Sequence, residues 1–434
     1  MNSILTYESN AWLAVAAYNN VAGDLTELQA QEFAKRYRVD YQYSENITGF
    51  GATLFWDTEL QRHVIAIRGT EPTTFKDLLN DVFLGTGKAY EQEVALEAFY
   101  RRLTTSVADG GLGLLSTNTV VDVTGHSLGG FLTQVFTAKH PSIVNQAYTY
   151  NAPGLDGVWG NIKALFSASS STYPNNKITN IAARDGLTFV ADIGINFGSQ
   201  DIEFPNSGHS SVTLANTISF YAVFATIDPN ITINEITQFY DTVVQSGKDP
   251  VSSSLKALAD IFQLSNLPKV EDMEVKLKKY ATDNSYINLN INFLIDNSAS
   301  SIATQAKGDK AILYALTKLN PFAIEGNLPA YTDIDPTHYS EKYLQDRAQY
   351  LYYLLDKTHR YDVDPTLSMT HFEDAALGSD YTLEQTFSRT RILFGGEGYS
   401  TLNGGEYGDH LYGMDGDDTM ILQNRDLKIQ KKAA

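Results

Sequence analysis

Eleven residues constrain this chain more than any others: VDVTGHSLGGF, from Val121 to Phe131. The β-branched run TVVDVT that leads into them predicts a buried strand, and LGGFLTQVFTAKH carries the apolar spacing of a helix. Ser127 therefore sits at a strand-to-helix junction, flanked by Gly125 and Gly129 in the spacing G-x-S-x-G. The missing side chains at those glycines allow a tight, strained elbow that lifts a hydroxyl above a sheet. The plain alternative is an ordinary serine in a glycine-rich turn.

A serine hydroxyl is a poor nucleophile unless a base takes its proton and a third group orients that base. On an elbow of this kind the chain order is serine, then a carboxylate, then histidine. The strand-like KITNIAAR runs into Asp185, which places that carboxylate at the C-terminal edge of a strand, and His209 follows in PNSGHSSVTL. Asp192 and Asp201 are rivals for the acid, and any of the three aspartates could simply cap a turn. For the base, His338, His359 and His371 are the later alternatives, whereas His63 and His140 fall out of order. His126 is too near the nucleophile in sequence to receive its proton and is expected to pack in the elbow. Donors for an oxyanion are expected from the backbone N–H of Leu128, at the helix N-terminus, and from Thr70 in HVIAIRGTEPTTF. A strand-ending turn is the alternative for Arg68-Gly69-Thr70.

Composition narrows the partners. With 434 residues, 43% of them hydrophobic, the chain can bury a large core and is expected to hold more than one domain. Its net charge of −19 argues against a nucleic-acid partner, because phosphate binding rests on clustered Lys and Arg. There are no cysteines, so a secreted location would need stabilisation other than disulfides, and bound calcium is one such source. The opening MNSILTYESNAWLAVAAYNN lacks a basic n-region and does not read as a cleaved signal peptide. No stretch approaches the roughly 18 apolar residues of a membrane span.

Three zones are expected. Residues 1–222 alternate β-branched and helix-like runs, as a mixed α/β sheet does. Residues 223–390 read as a mostly helical accessory region, as in HYSEKYLQDRAQYLYYLLDKTHRY, with no catalytic constellation. Residues 391–434 change abruptly to GGEGYSTLN, GGEYGDHLY and GMDGDDTMI. Read in nines, these share a glycine at the first place and Leu402, Leu411 or Met420 at the eighth, with Asp409 and Asp418 at the sixth. Glycine turns between short apolar strands suit a parallel β-roll that holds calcium by carbonyls and aspartates. Asp409, Asp415 and Asp418 are the candidate ligands; a Gly/Asp-rich surface loop is the alternative. Ser400, Tyr407 and Met414 depart from the repeat.

Two resemblances follow from these motifs. The strand ending in RGT, DLLNDV just after it, VTGHSLGG, an aspartate after the next strand and a histidine beyond resemble the class 3 lipase family, best known from fungal triacylglycerol lipases. The resemblance covers about residues 60–215 and implies an α/β-hydrolase core, a triad of Ser127, Asp185 and His209, an oxyanion role for Thr70 and a mobile lid over 74–84. The interval from Asp185 to His209 is shorter than in the fungal members, and RDGL stands where a D-x-V-P-like turn is expected. The nonapeptides resemble RTX repeats, which in bacterial lipases imply structural calcium and type I secretion with no cleaved signal. Together the resemblances imply a secreted serine hydrolase of lipid carboxylic esters, of triacylglycerol lipase or phospholipase A type. A phospholipase toxin aimed at membranes and a non-enzymatic calcium-dependent adhesion module are the rival readings.

Overall fold

The computed structural model describes residues 3–18, 25–69, 88–153, 175–184, 200–205, 209–355, 370–377, 379–382, 390–396, 398–404, 408–414, 416–421 and 428–430. They form two compact units, one of residues 1–226 with 271–279 and the other of 227–270 with 280–434.

The first unit is built on a seven-stranded sheet in sequential order: β1 (Tyr37–Ser44), β2 (Gly51–Asp57), β3 (Arg62–Ile67), β4 (Val121–His126), β5 (Val144–Tyr150), β6 (Ile178–Ala183) and β7 (Gln200–Phe204). β1, β2 and β3 pair antiparallel, and β3 through β7 are parallel. This mixed sheet with helices against it fits an α/β-hydrolase core. Every residue of β4 is buried, which is why VDVTGH reads as an unbroken run and not as an alternation. The parallel register puts the C-terminal ends of β3 to β6 along one edge, through Ile67↔Gly125, His126↔Tyr150 and Tyr150↔Ile181.

Four helices of this unit are α1 (Ser3–Ala16), α2 (Glu27–Arg36), α3 (Lys88–Thr104) and α4 (Leu128–Lys139). α2 starts at a capping box, in which the Thr26 side chain accepts the Gln29 N–H and the Gln29 side chain answers the Thr26 N–H. A helix as short as α4 is marginal alone, so packing decides it. Its Phe131, Leu132, Val135 and Phe136 pack with Val121 and Val123 of the sheet and Leu96, Phe99 and Leu103 of α3. Each such side chain contributes about 1.5–3 kcal/mol on burial. A further helix, α5 (Ser211–Ile227), begins just after His209.

Among the described residues the second unit holds five α-helices between Ile233 and Leu355 and a set of short strands, while most of the helix Val270–Asp283 belongs to the first unit. Asp249 caps the helix that opens at Pro250, accepting from the Val251 and Ser252 N–H groups. Toward the C-terminus, Thr390–Phe394 pairs in parallel with His410–Tyr412, and that strand with Lys428–Gln430, each a step of eighteen residues. Thr401–Asn403 pairs in parallel with Thr419–Ile421 in a separate sheet. Successive nine-residue segments thus alternate between two sheets, with Leu393, Leu402, Leu411 and Met420 packed between them. Among the described residues no helix is long and apolar enough to cross a membrane.

Candidate active site

Ser127 stands between the end of β4 and the start of α4 with φ 57° and ψ −125°, and only 2% of its surface is exposed. A positive φ on a residue with a Cβ stores strain of order 1–3 kcal/mol, which the surrounding packing must hold. The neighbours explain how. The Ser127 N–H donates to the Tyr150 carbonyl at 2.8 Å, and Phe131 N–H donates back to the Ser127 carbonyl at 3.1 Å. A Cβ on Gly129 would strike the Ile67 carbonyl and come 2.8 Å from Arg68 C; one on Gly125 would strike the Gly129 carbonyl. Helix and strand approach so closely that only glycine fits at both places, which is the steric reason for the G-x-S-x-G spacing.

His209 lies just before Ser210, whose hydroxyl accepts the Thr213 N–H in the first turn of α5. Its Nε2 is 3.3 Å from Ser127 Oγ. That separation suits a base that tightens on the hydroxyl when substrate arrives. Burial lowers the His209 pKa from its ordinary 6.5, so the ring is neutral and able to accept a proton at neutral pH. The pH profile of kcat/KM for ester hydrolysis should therefore have its acid midpoint below 6.5 and a plateau from about 7 upward. An acid midpoint above 7 would show that something other than burial governs this histidine.

Of the two expected oxyanion donors, one lies among the described residues. Leu128 is the first residue of α4, and helix geometry leaves its N–H without an intrahelical acceptor, at the positive end of the dipole. Thr70 lies outside the described residues, as does the whole 74–84 segment. The chain that leads to Thr70 is fixed: the Arg68 N–H donates to Gly51 at 2.9 Å, and its Nη2 donates to the Gly49 carbonyl at 3.0 Å. Arg68 in the RGT segment thus anchors a strand end.

Asp185 and Asp192 also lie outside the described residues. Arg184, the residue before Asp185, follows the end of β6 at the same sheet edge as Ser127, where its N–H donates to the Phe204 carbonyl at 2.8 Å. The rival Asp201 is exposed, sits near the start of β7, and accepts from Asn180 Nδ2 at 3.0 Å. That end of a parallel strand is the edge away from Ser127, so Asp201 does not serve as the orienting acid. His338 is exposed against Asp335, 3.5 Å away, and His359 is outside the described residues.

His126, expected only to pack in the elbow, makes polar contacts at the site, and Tyr18, which the sequence did not single out, joins it. His126 touches His209 through its Nε2 and Tyr18 through its Nδ1. Tyr18 lies more than a hundred positions away, and no spacing in the sequence signals it.

No family model matches the chain, and no curated protein matches it. Solved structures do. The Lip2 lipase of Yarrowia lipolytica shares 16% identity over 46% of this chain and 78% of its own, with a TM-score of 0.32. A lipase from Rhizopus microsporus var. chinensis shares 19% over 43% and 67%, at 0.30, and a triacylglycerol lipase from Penicillium expansum 15% over 49% and 82%, at 0.28. Likeness at such scores carries no argument, and the functional reading rests on the residues and distances above.

Proposed function

We propose that this chain is a serine hydrolase of lipid carboxylic esters. The observation that carries the reading is a strained, buried serine at φ 57° with a histidine Nε2 3.3 Å from its hydroxyl. In the proposed cycle His209 Nε2 takes the Ser127 proton as Oγ bonds to the ester carbonyl carbon. The carbonyl oxygen becomes an oxyanion facing the Leu128 N–H, with Thr70 as the proposed second donor. Collapse breaks the bond to the alkoxy oxygen, and His209 returns the proton to the departing alcohol. Water, deprotonated by the same ring, then bonds to the acyl carbon; the bond to Ser127 Oγ breaks, His209 returns the proton to Oγ, and the fatty acid leaves. Asp185 is the proposed orienting acid. The lipid substrate class is supported by the class 3 lipase resemblance and by FKDLLNDVFL, whose apolar residues could meet a lipid surface.

Initial rates on tributyrin emulsion, phosphatidylcholine vesicles and soluble p-nitrophenyl butyrate test this. Hydrolysis of the esters by the wild-type chain is expected, and the first two substrates separate lipase from phospholipase action. No turnover of any of the three would overturn the proposal.

We further propose that the C-terminal repeats form a calcium-binding roll. Asp409 Oδ1 accepts the Arg391 N–H at 2.7 Å and Asp418 Oδ1 accepts the Ser400 N–H at 2.9 Å, each eighteen residues back. A Cβ on Gly404 would lie 2.9 Å from Asp409 Oδ2, and one on Gly413 would strike Asp418 Oδ2. The carboxylates thus lie beside glycine turns, and the proposed calcium would take its further oxygen ligands from the carbonyls of such turns. Asp415 lies outside the described residues, and among the described residues no three carboxylates or histidines cluster to hold a metal. The ion would act as a folding ligand and take no part at the ester. At a hundred times its Kd it should stabilise the roll by about 2.7 kcal/mol. A melting temperature identical in calcium and in chelator would contradict this. Export by type I machinery, implied by the same repeats, belongs to this proposal.

A further inference from the structure

The base of the proposed mechanism is held by its own main chain. His126 Nε2 lies 2.8 Å from the His209 carbonyl oxygen, and His126 Nδ1 lies 2.9 Å from the Tyr18 hydroxyl. A carbonyl can only accept, so Nε2 carries the hydrogen. A neutral imidazole has one N–H, which leaves Nδ1 to accept from Tyr18 O–H. Burial drives the His126 pKa down to about 3, so both contacts persist in one tautomer throughout the neutral range.

The donor to Nδ1 is delivered by a pinned helix. Along α1, the Tyr7 carbonyl accepts Tyr150 Oη at 2.6 Å and the Asn10 carbonyl accepts Thr124 Oγ1 at 3.0 Å. Trp12 Nε1 donates to Ser219 Oγ of α5 at 2.9 Å, and Ser219 donates to Glu8 Oε1 at 2.7 Å. Helix α1 is thereby tied to β4, β5 and α5, and Tyr18 follows its last turn. The RGT strand end closes over the same group: a Cβ on Gly69 would strike Tyr18 Oη and come 2.6 Å from the His126 carbonyl and 3.3 Å from Ser127 Cβ.

We propose that His126 is a positioning residue for ester hydrolysis: its Nε2–H, held in one tautomer by Tyr18, clamps the His209 main chain to the strand that carries Ser127. This rests on the reading of Ser127 as nucleophile and His209 as its base. His209 itself belongs to no helix or strand, so its ring is placed by such contacts. A shift of about 1 Å at a reacting group can lower a rate by about a hundredfold.

The test uses the full chain with p-nitrophenyl butyrate. His126→Leu keeps the bulk and loses the donor; kcat should fall by about thirty- to a hundredfold with KM nearly unchanged. His126→Gln, whose amide can reach the same carbonyl, should recover most of that loss, which a merely packed histidine would not require. Tyr18→Phe should lower kcat by about three- to tenfold at unaltered melting temperature. Nitrogen-15 spectra of the wild-type ring should show Nε2–H and no titration from pH 5 to 9, a readout independent of whether the Leu variant folds. Wild-type kcat in the Leu and Phe variants, a Gln variant as slow as Leu, or an Nδ1–H ring would each overturn the inference. Ser127→Ala in the same assay separates the two levels. If it stays fully active the reading of Ser127 as nucleophile fails, whereas if it is dead while His126→Leu is unaffected only the clamp fails.

Discussion

Ser127→Ala is expected to lower kcat on a soluble ester by about 10⁵-fold or more, the scale seen when a catalytic nucleophile is removed. The hydroxyl is the atom within 3.3 Å of His209 Nε2, and no other described group stands in for it at the elbow. Stability should hardly move, because one long hydrogen bond is lost and alanine suffers the same positive φ. Ser127→Gly separates chemistry from strain. It should be equally inactive yet more stable by about 1 kcal/mol, since glycine adopts φ 57° without the Cβ clash. Denaturant unfolding checks this, and a Gly variant less stable than wild type would contradict the account of the elbow.

The second large effect lies in the other unit. Arg347 is 2% exposed, donates through Nε to the Leu316 carbonyl at 3.0 Å and through Nη2 to Thr317 at 2.6 Å, and stacks 4.5 Å above the Phe394 ring. Its Nη1 lies 2.5 Å from the buried Asp374 Oδ2, close for an ion pair though poorly aligned as a hydrogen bond. Arg347→Ala removes the cation beside that carboxylate, which keeps only the Leu377 N–H at 2.8 Å among its described partners, and two helix-end carbonyls lose their donor. The expected loss is about 3–5 kcal/mol, as for other buried pairs broken on one side. Urea unfolding followed by probes in this unit measures it; a loss under about 1 kcal/mol would mean that water reaches Asp374. Ester hydrolysis reports separately on Ser127.

Much of the site was legible because local sterics dictate it. Gly125 and Gly129 announce the elbow since a backbone at contact distance tolerates no Cβ, and the β-branched run before them announces a central strand. His209 was reachable by chain order alone. What hid was long-range and main-chain. The His126–His209 link goes to a carbonyl, which every residue has, so side-chain identity carries no signal for it. Tyr18 arrives just after α1, in a segment whose composition speaks only to targeting. Asp201 was a rival to Asp185 in the sequence, and the parallel register sets it at the far edge of the sheet.

The second unit shows the same division. The nine-residue period is readable, but pairing at eighteen requires the alternation of two sheets, which one period cannot reveal. In SEKYLQDRAQYLYYLL the tyrosines read as core: Tyr350 stacks on Phe372 at 5.0 Å and Tyr343 meets Phe394 edge-on at 5.6 Å. Asp346 and Arg347 in the same run are buried with them. Their partners, Tyr412 on Asp346 at 2.5 Å and Asp374 on Arg347, come from strands far along the chain.

The most direct measurement is labelling with a fluorophosphonate, followed by mass spectrometry of the modified peptide, on the wild-type chain and on His209→Ala. The account predicts a single adduct on Ser127 in the wild type and its loss in the variant. Labelling of Ser127 at an undiminished rate without His209, or an adduct on another serine, would contradict it.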